Sequence, residues 1–169
     1  MRNPSKGHAA LRKGRWSAGD TMYFITICLR PEQSGFDRKE LFEKSLTTLK
    51  TLEGESCKVI HGIVHMPDHI HMLIELNTET SLQELVRLYK GRMTPALRRH
   101  GLNWQSGFHD RRIRPDDSVG AVLRYMLMNP YRKGLLDTND VWQSLYCTKD
   151  AETWISIAEE KNVPLPEWI

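Results

Sequence analysis

His65-Met66-Pro67-Asp68-His69-Ile70-His71-Met72-Leu73-Ile74-Glu75-Leu76 is the stretch that decides how the rest of the chain folds. Along a β-strand, successive side chains alternate between two faces. Ile70, Met72, Ile74 and Leu76 then share an apolar face fit for a core. His69, His71 and Glu75 point the other way, with Leu73 between them. Two neutral imidazoles one residue apart on the polar face of a half-buried strand can converge on one divalent cation. A strand also holds such ligands more firmly than a loop does. Taken alone, the pair reads equally well as two partly exposed histidines on an ordinary strand. Residues farther along the chain decide between the two.

Working outward, Met66-Pro67-Asp68 is too short for anything but a turn, so residues 57–65 form the hairpin partner of this strand. That partner carries His61 and His65 on one side. Residues 21–29, TMYFITICL, are aromatic and β-branched and read as another strand, broken by the Pro and Gly signals of 30–35. Leu41, Phe42, Ser45, Leu46, Leu49 and Leu52 fall at helical spacing over 37–52, and Gly54 marks the stop. A second amphipathic helix spans 81–99, with Ser81 as N-cap and Glu84 completing a capping box. Gly91 and Pro95 are expected to weaken or divide it. Residues 108–114 form a short strand. The order strand, helix, strand, strand, helix, strand is the split βαβ, ferredoxin-like arrangement of the α+β class. Helices then cover one face of an antiparallel sheet and leave the histidine face free for a substrate, with one further helix near it.

The 169 residues fit one domain over 21–146, preceded by a basic arm (1–20) and followed by a tail (147–169) packed on the domain. No apolar run is long enough for a membrane span, and the basic N-terminus lacks the apolar stretch of a secretory signal. A cytoplasmic, nucleoid-associated protein is expected. Cys28, Cys57 and Cys147 are odd in number and far apart, which excludes a disulfide framework and a paired-cysteine zinc site. HExxH is absent, as are the cysteine pairs of a zinc deaminase. Net charge is only +3, but it is unevenly spread. Before Asp20 every charged residue is basic, including Arg12, Lys13 and Arg15. From Arg87 to Arg114, Lys90, Arg92, Arg98, Arg99, Arg111, Arg112 and Arg114 face Asp110 alone. Such local excess suits a polyanion, because each phosphate contact releases counterions. Trp16 anchors the arm or stacks on a base.

Asp116-Asp117-Ser118 supplies N-caps for a further helix, which Asn129-Pro130 is expected to close. Val119, Val122, Leu123 and Met126 make its apolar stripe. Tyr125 and Asn129, four apart, stand one turn above the other. A phenol can attack phosphorus to give a phosphotyrosine, and an amide oxygen one turn away can complete the coordination of a hard cation begun by two histidines. A tyrosine on an amphipathic helix is more often packing, so the conjunction carries the reading. Tyr131 follows Pro130, which would put it outside the helix and favours Tyr125.

At this point the chain resembles the HUH single-tyrosine transposases, the family of the smallest bacterial insertion sequences, and above all their chromosomal branch, the REP-associated tyrosine transposases. The likeness rests on His69-Ile70-His71 with its lead-in, on WQSGFHDRRIR at 104–114, and on RYMLMNPYRKGL at 124–135. It implies that Tyr125 cuts single-stranded DNA, keeps the 5′ phosphate and releases a 3′ hydroxyl. It further implies that His69, His71 and Asn129 bind Mg²⁺ or Mn²⁺, and that the substrate is single-stranded or hairpin DNA. The basic arm, Lys90, Arg92, Arg98, Arg99, Arg111, Arg112 and Arg114 would grip phosphates, with Trp104 stacking on a base. His65 and His109 accompany the motif without an assigned role. The alternative function is a catalytically idle hairpin-binding or regulatory protein, and monomer and homodimer both remain open.

Overall fold

The structure, a computed structural model, describes residues 21–137, 139–162 and 164–166. The expected basic arm, with Arg12, Lys13, Arg15 and Trp16, lies outside the described residues. Five strands, β1 (Thr21–Cys28), β2 (Cys57–His65), β3 (His69–Leu76), β4 (His109–Arg112) and β5 (Leu145–Cys147), form one antiparallel sheet of order β4-β1-β3-β2-β5. The first four strands reproduce the ferredoxin-like order, and β5 extends the sheet beside β2. Among the described residues no helix is long and apolar enough to cross a membrane.

Strand alternation sorts the side chains as the sequence demands. Ile70, Met72, Ile74 and Leu76 are buried with Ile25 and Ile27 under α1 (Lys39–Leu52) and α2 (Leu82–Arg99). The two helices are joined by a buried hydrogen bond, 2.7 Å, between Ser45 Oγ and the Tyr89 hydroxyl. Ser81 caps α2 by accepting from Glu84 N–H, but the Glu84 carboxylate turns to Arg87, so only half of the capping box forms. Neither Gly91 nor Pro95 divides α2, which is continuous through both.

The histidine face is not left open. Phe24, Val64 and Leu73 lie on it, buried, and form a second core with Val122, Leu123 and Met126 of α3 (Val119–Arg132) and Ala151 of α4 (Lys149–Glu160). Leu73, between His71 and Glu75, was the sequence sign that part of this face is apolar. Gly62 on β2 is the seat of α3: a Cβ there would stand 2.8 Å from Met126 Cε. Gly120 does the same between helices, since a Cβ would overlap the Trp154 carbonyl oxygen of α4.

Two expectations fail for local reasons. A β-bulge between Ile60 and Gly62 breaks the two-residue alternation of β2. His61 therefore turns toward Glu75 and Trp154, whereas His65 turns toward Phe36 and Phe42 on the opposite side. Asn129-Pro130 does not close α3, which continues to Arg132, so Tyr131 lies inside the helix. An interior proline costs about 3 kcal/mol. Here the proline falls in the last turn, where it removes one backbone hydrogen bond, and Asn129 and Pro130 are themselves buried. The end is instead set by Gly134 at φ +66°, with Lys133 N–H donating to Asn129 O and Gly134 N–H to Tyr131 O.

Gly120→Ala should lower the urea midpoint, by roughly 1–3 kcal/mol of overpacking, with far-UV dichroism unchanged; an unaltered midpoint would mean that α3 and α4 do not meet there. His65 is wholly buried, its Nδ1 2.9 Å from Phe36 O, and burial pushes its pKa from 6.5 down to about 4. Between those values the unfolded chain takes up a proton that the folded chain refuses, so stability falls as pH drops through that window, by up to about 3 kcal/mol. His61 and His71 are shifted the same way, so the test compares wild type with His65→Gln at pH 7 and 4.5. The variant should lose less stability on acidification; equal losses would show that His65 contributes none of the slope.

Candidate active site

β3 and its neighbours build the site from their register. Across the sheet, His109, Thr26, His71, Val64 and Leu145 lie in one row. Opposite partners in a sheet point to the same face. Thr26 therefore reaches the neighbouring imidazole, and its hydroxyl is 2.8 Å from His71 Nδ1. Asp68, in the hairpin turn, accepts from His69 Nδ1–H at 2.6 Å. With both Nδ1 atoms engaged, the two Nε2 atoms face each other at 3.1 Å. Two nitrogens bound side by side to one cation, each at about 2.1 Å, stand roughly 3 Å apart. Outer oxygen partners that fix ring and tautomer are the usual support of histidine ligands. The donor set thus fits a metal ion. His71 stacks on Phe24 with ring centres 5.0 Å apart, and burial, with His69 beside it, pushes its pKa down to about 3. It is held neutral, the form that ligates. Beside the pair an open cleft of about 470 Å³ is lined by Cys28, Arg30, Pro67, Asp68 and Gln105.

α3 brings Tyr125 to this same face. Its half-buried ring packs against the second core, which also contains Phe24, the residue on which His71 stacks. Among the described residues no hydrogen bond holds the Tyr125 hydroxyl. Three other tyrosines differ: Tyr89 is bonded to Ser45, Tyr131 donates to Asp140 O at 2.8 Å, and Tyr146 meets Lys50. The Tyr131 hydroxyl is therefore spoken for, a better ground for setting it aside than its expected place outside the helix. Asn129 is buried one turn beyond Tyr125. Glu75 does not join the imidazole pair; it holds Lys58 at 2.9 Å and lies 3.8 Å from His61. Among the described residues no three of His, Cys, Asp and Glu gather into a cluster.

The basic residues separate in space. Lys90 donates to the carbonyls of Gln105 and Gly107, at 2.7 and 2.9 Å, and so clamps the loop before β4. Trp104 donates its indole N–H to Lys90 O and packs edge-on against Phe36, which makes it part of the core margin. Arg92 is paired with Glu55 at 2.8 Å. Arg111 lies in the row of Phe24 and Leu73, 3.7 Å from Asp117. Arg98, Arg99, Arg112 and Arg114 are exposed; the first two end α2, on the face opposite the histidines. Thr26 and Asp68 are the partners that sequence reading missed. Asp68 stood beside the motif, but nothing in TMYFITICL singles out Thr26 until the register is known.

The family model described as "Transposase IS200 like" matches residues 20–113, which include His69 and His71 but end before α3. Among solved structures, a REP-associated tyrosine transposase bound to a REP hairpin is similar over 73% of this chain and 74% of its own, with a TM-score of 0.62 and 21% identity. That likeness shows a shared fold. A candidate transposase from Deinococcus radiodurans R1 is similar over 62% of this chain and 87% of its own, with a TM-score of 0.45 and 16% identity. No curated protein matches the sequence.

Thr26→Val keeps the shape of the side chain and removes the oxygen beside His71 Nδ1. Titration calorimetry with Mn²⁺ should find affinity weakened about 10-fold or more. An unchanged isotherm would show that Thr26 does not orient a ligand.

Proposed function

Because the chain belongs to the IS200-like transposase family, we propose that it cuts and rejoins single-stranded DNA through a 5′-phosphotyrosine on Tyr125. It would be a metal-dependent endonuclease and strand-transferase. One conjunction carries the reading: an imidazole pair with its Nε2 atoms 3.1 Å apart and, on the same sheet face, a tyrosine hydroxyl with no hydrogen bond among the described residues. The substrate is proposed to be hairpin DNA with a single-stranded flank, in keeping with the solved relative bound to a REP hairpin.

Tyr125 Oη bonds to the scissile phosphorus while the bond from phosphorus to the 3′ oxygen breaks. The phenolic proton passes to solvent, and the departing 3′ oxygen takes a proton up. A phosphodiester enters the step and a phosphodiester leaves it, so a strand's 3′ hydroxyl can reverse it without an outside energy source. His69 and His71 would hold Mg²⁺ or Mn²⁺, with the Asn129 carboxamide oxygen as third ligand. A cation bound there would supply Lewis-acid polarisation of the phosphate. Thr26 and Asp68 keep the imidazoles facing inward. The cleft beside them gives the flanking nucleotide room, and Arg98, Arg99, Arg112, Arg114 and the arm residues Arg12, Lys13 and Arg15 contact phosphates.

Hairpin DNA incubated with Mn²⁺ and the protein, then run on a denaturing gel, should show a cut strand and a protein–DNA adduct. Tyr125→Phe should lose both while binding the hairpin within about 2-fold of wild type, since only one hydroxyl is removed. Cutting by the variant would overturn the nucleophile. Binding without cutting by the wild type would leave a hairpin-binding protein.

A further inference from the structure

Tyr125, Asn129 and Arg132 follow one another along a single stripe of α3, each about one turn beyond the last. The Arg132 guanidinium carbon lies 4.6 Å from the centre of the Tyr125 ring. Long helical side chains lean toward the N-terminus, which is how a residue two turns ahead covers the tyrosine. The ring thus lies between the second core, against which it packs, and a planar cation. No hydrogen bond among the described residues fixes its hydroxyl. What aims the oxygen is therefore the grip on the ring.

We propose that Arg132 is a positioning residue for the Tyr125 nucleophile: its guanidinium, stacked on the phenol, holds the ring in the orientation from which its oxygen attacks. This rests on the reading of Tyr125 as nucleophile given above. A planar guanidinium suits the task better than an ammonium, because it lies flat on a ring. Arg132 is itself exposed and in the last turn, where a cation is favoured by the helix dipole and where substitution leaves the core untouched. Phosphate binding alone would explain an exposed arginine, but it would not require it to lie over this ring.

The test compares wild type, Arg132→Met and Arg132→Lys in single-turnover cleavage of hairpin DNA at saturating concentration, with hairpin affinity measured separately. Arg132→Met should slow adduct formation roughly 3- to 10-fold, the scale of one cation–aromatic contact. Hairpin affinity should change less than about 2-fold, and Arg132→Lys should recover part of the rate. In the free protein, the aromatic NMR signals of Tyr125, assigned by their loss in Tyr125→Phe, should shift in Arg132→Met. A loss seen in affinity with the saturated rate intact would make Arg132 a phosphate contact and overturn the proposal. Unchanged ring signals would overturn it as well. If the wild type forms no adduct, the nucleophile reading has fallen and this proposal with it. If the wild type cuts and Arg132→Met cuts equally fast, only the role of Arg132 has fallen.

Discussion

The pairing of β1 with β3 is the constraint on which the site depends. Thr26 lies opposite His71 and Cys28 opposite His69. Because side chains alternate with a period of two, a slip of one residue would exchange the imidazoles for Ile70 and Met72. That slip is opposed by the full burial of Ile70, Met72, Ile74 and Leu76 beneath α1 and α2. The apolar face thus sets the geometry of the polar one. Thr26 and Asp68 then fix how the two rings turn within the register, and their Nε2 atoms face each other.

The second requirement is delivery of a helix to a face that already carries polar groups. The face is divided: His69 and His71 occupy the end near the hairpin turn, while Leu73, Phe24 and Val64 make an apolar floor beside them. α3 settles on that floor because Gly62 offers no side chain to hold it away, and α4 backs it through Gly120. Tyr125 is then half-buried against the second core on this face. The helix continues through the buried Asn129 and Pro130, and so keeps Arg132 on the helix, within reach of Tyr125.

Charge is less simply distributed than a one-dimensional count suggests. The arginine-rich stretch resolves into residues with internal partners, such as Lys90 on two carbonyls and Arg92 on Glu55, and others that remain exposed at the end of α2 and along β4. Counterion release rewards only cations that are free to meet phosphate. Under the proposed function, the exposed subset is the one available to phosphate.

Sequence alone determined the order of the first four strands and the three helices that accompany them, the apolar face of β3, the Ser81 and Ser118 caps and the histidine pair, because each follows from a local period or a neighbour within one turn. It also placed Tyr125 and Asn129 on one stripe. Tertiary structure decided the rest. The bulge at His61, the passage of α3 through Pro130 and the covering of the histidine face each turn on contacts between segments far apart in the chain. The same holds for Thr26: a threonine within an apolar strand becomes the partner of an imidazole only when another strand is laid beside it in one register, and no local pattern encodes which residue will stand opposite.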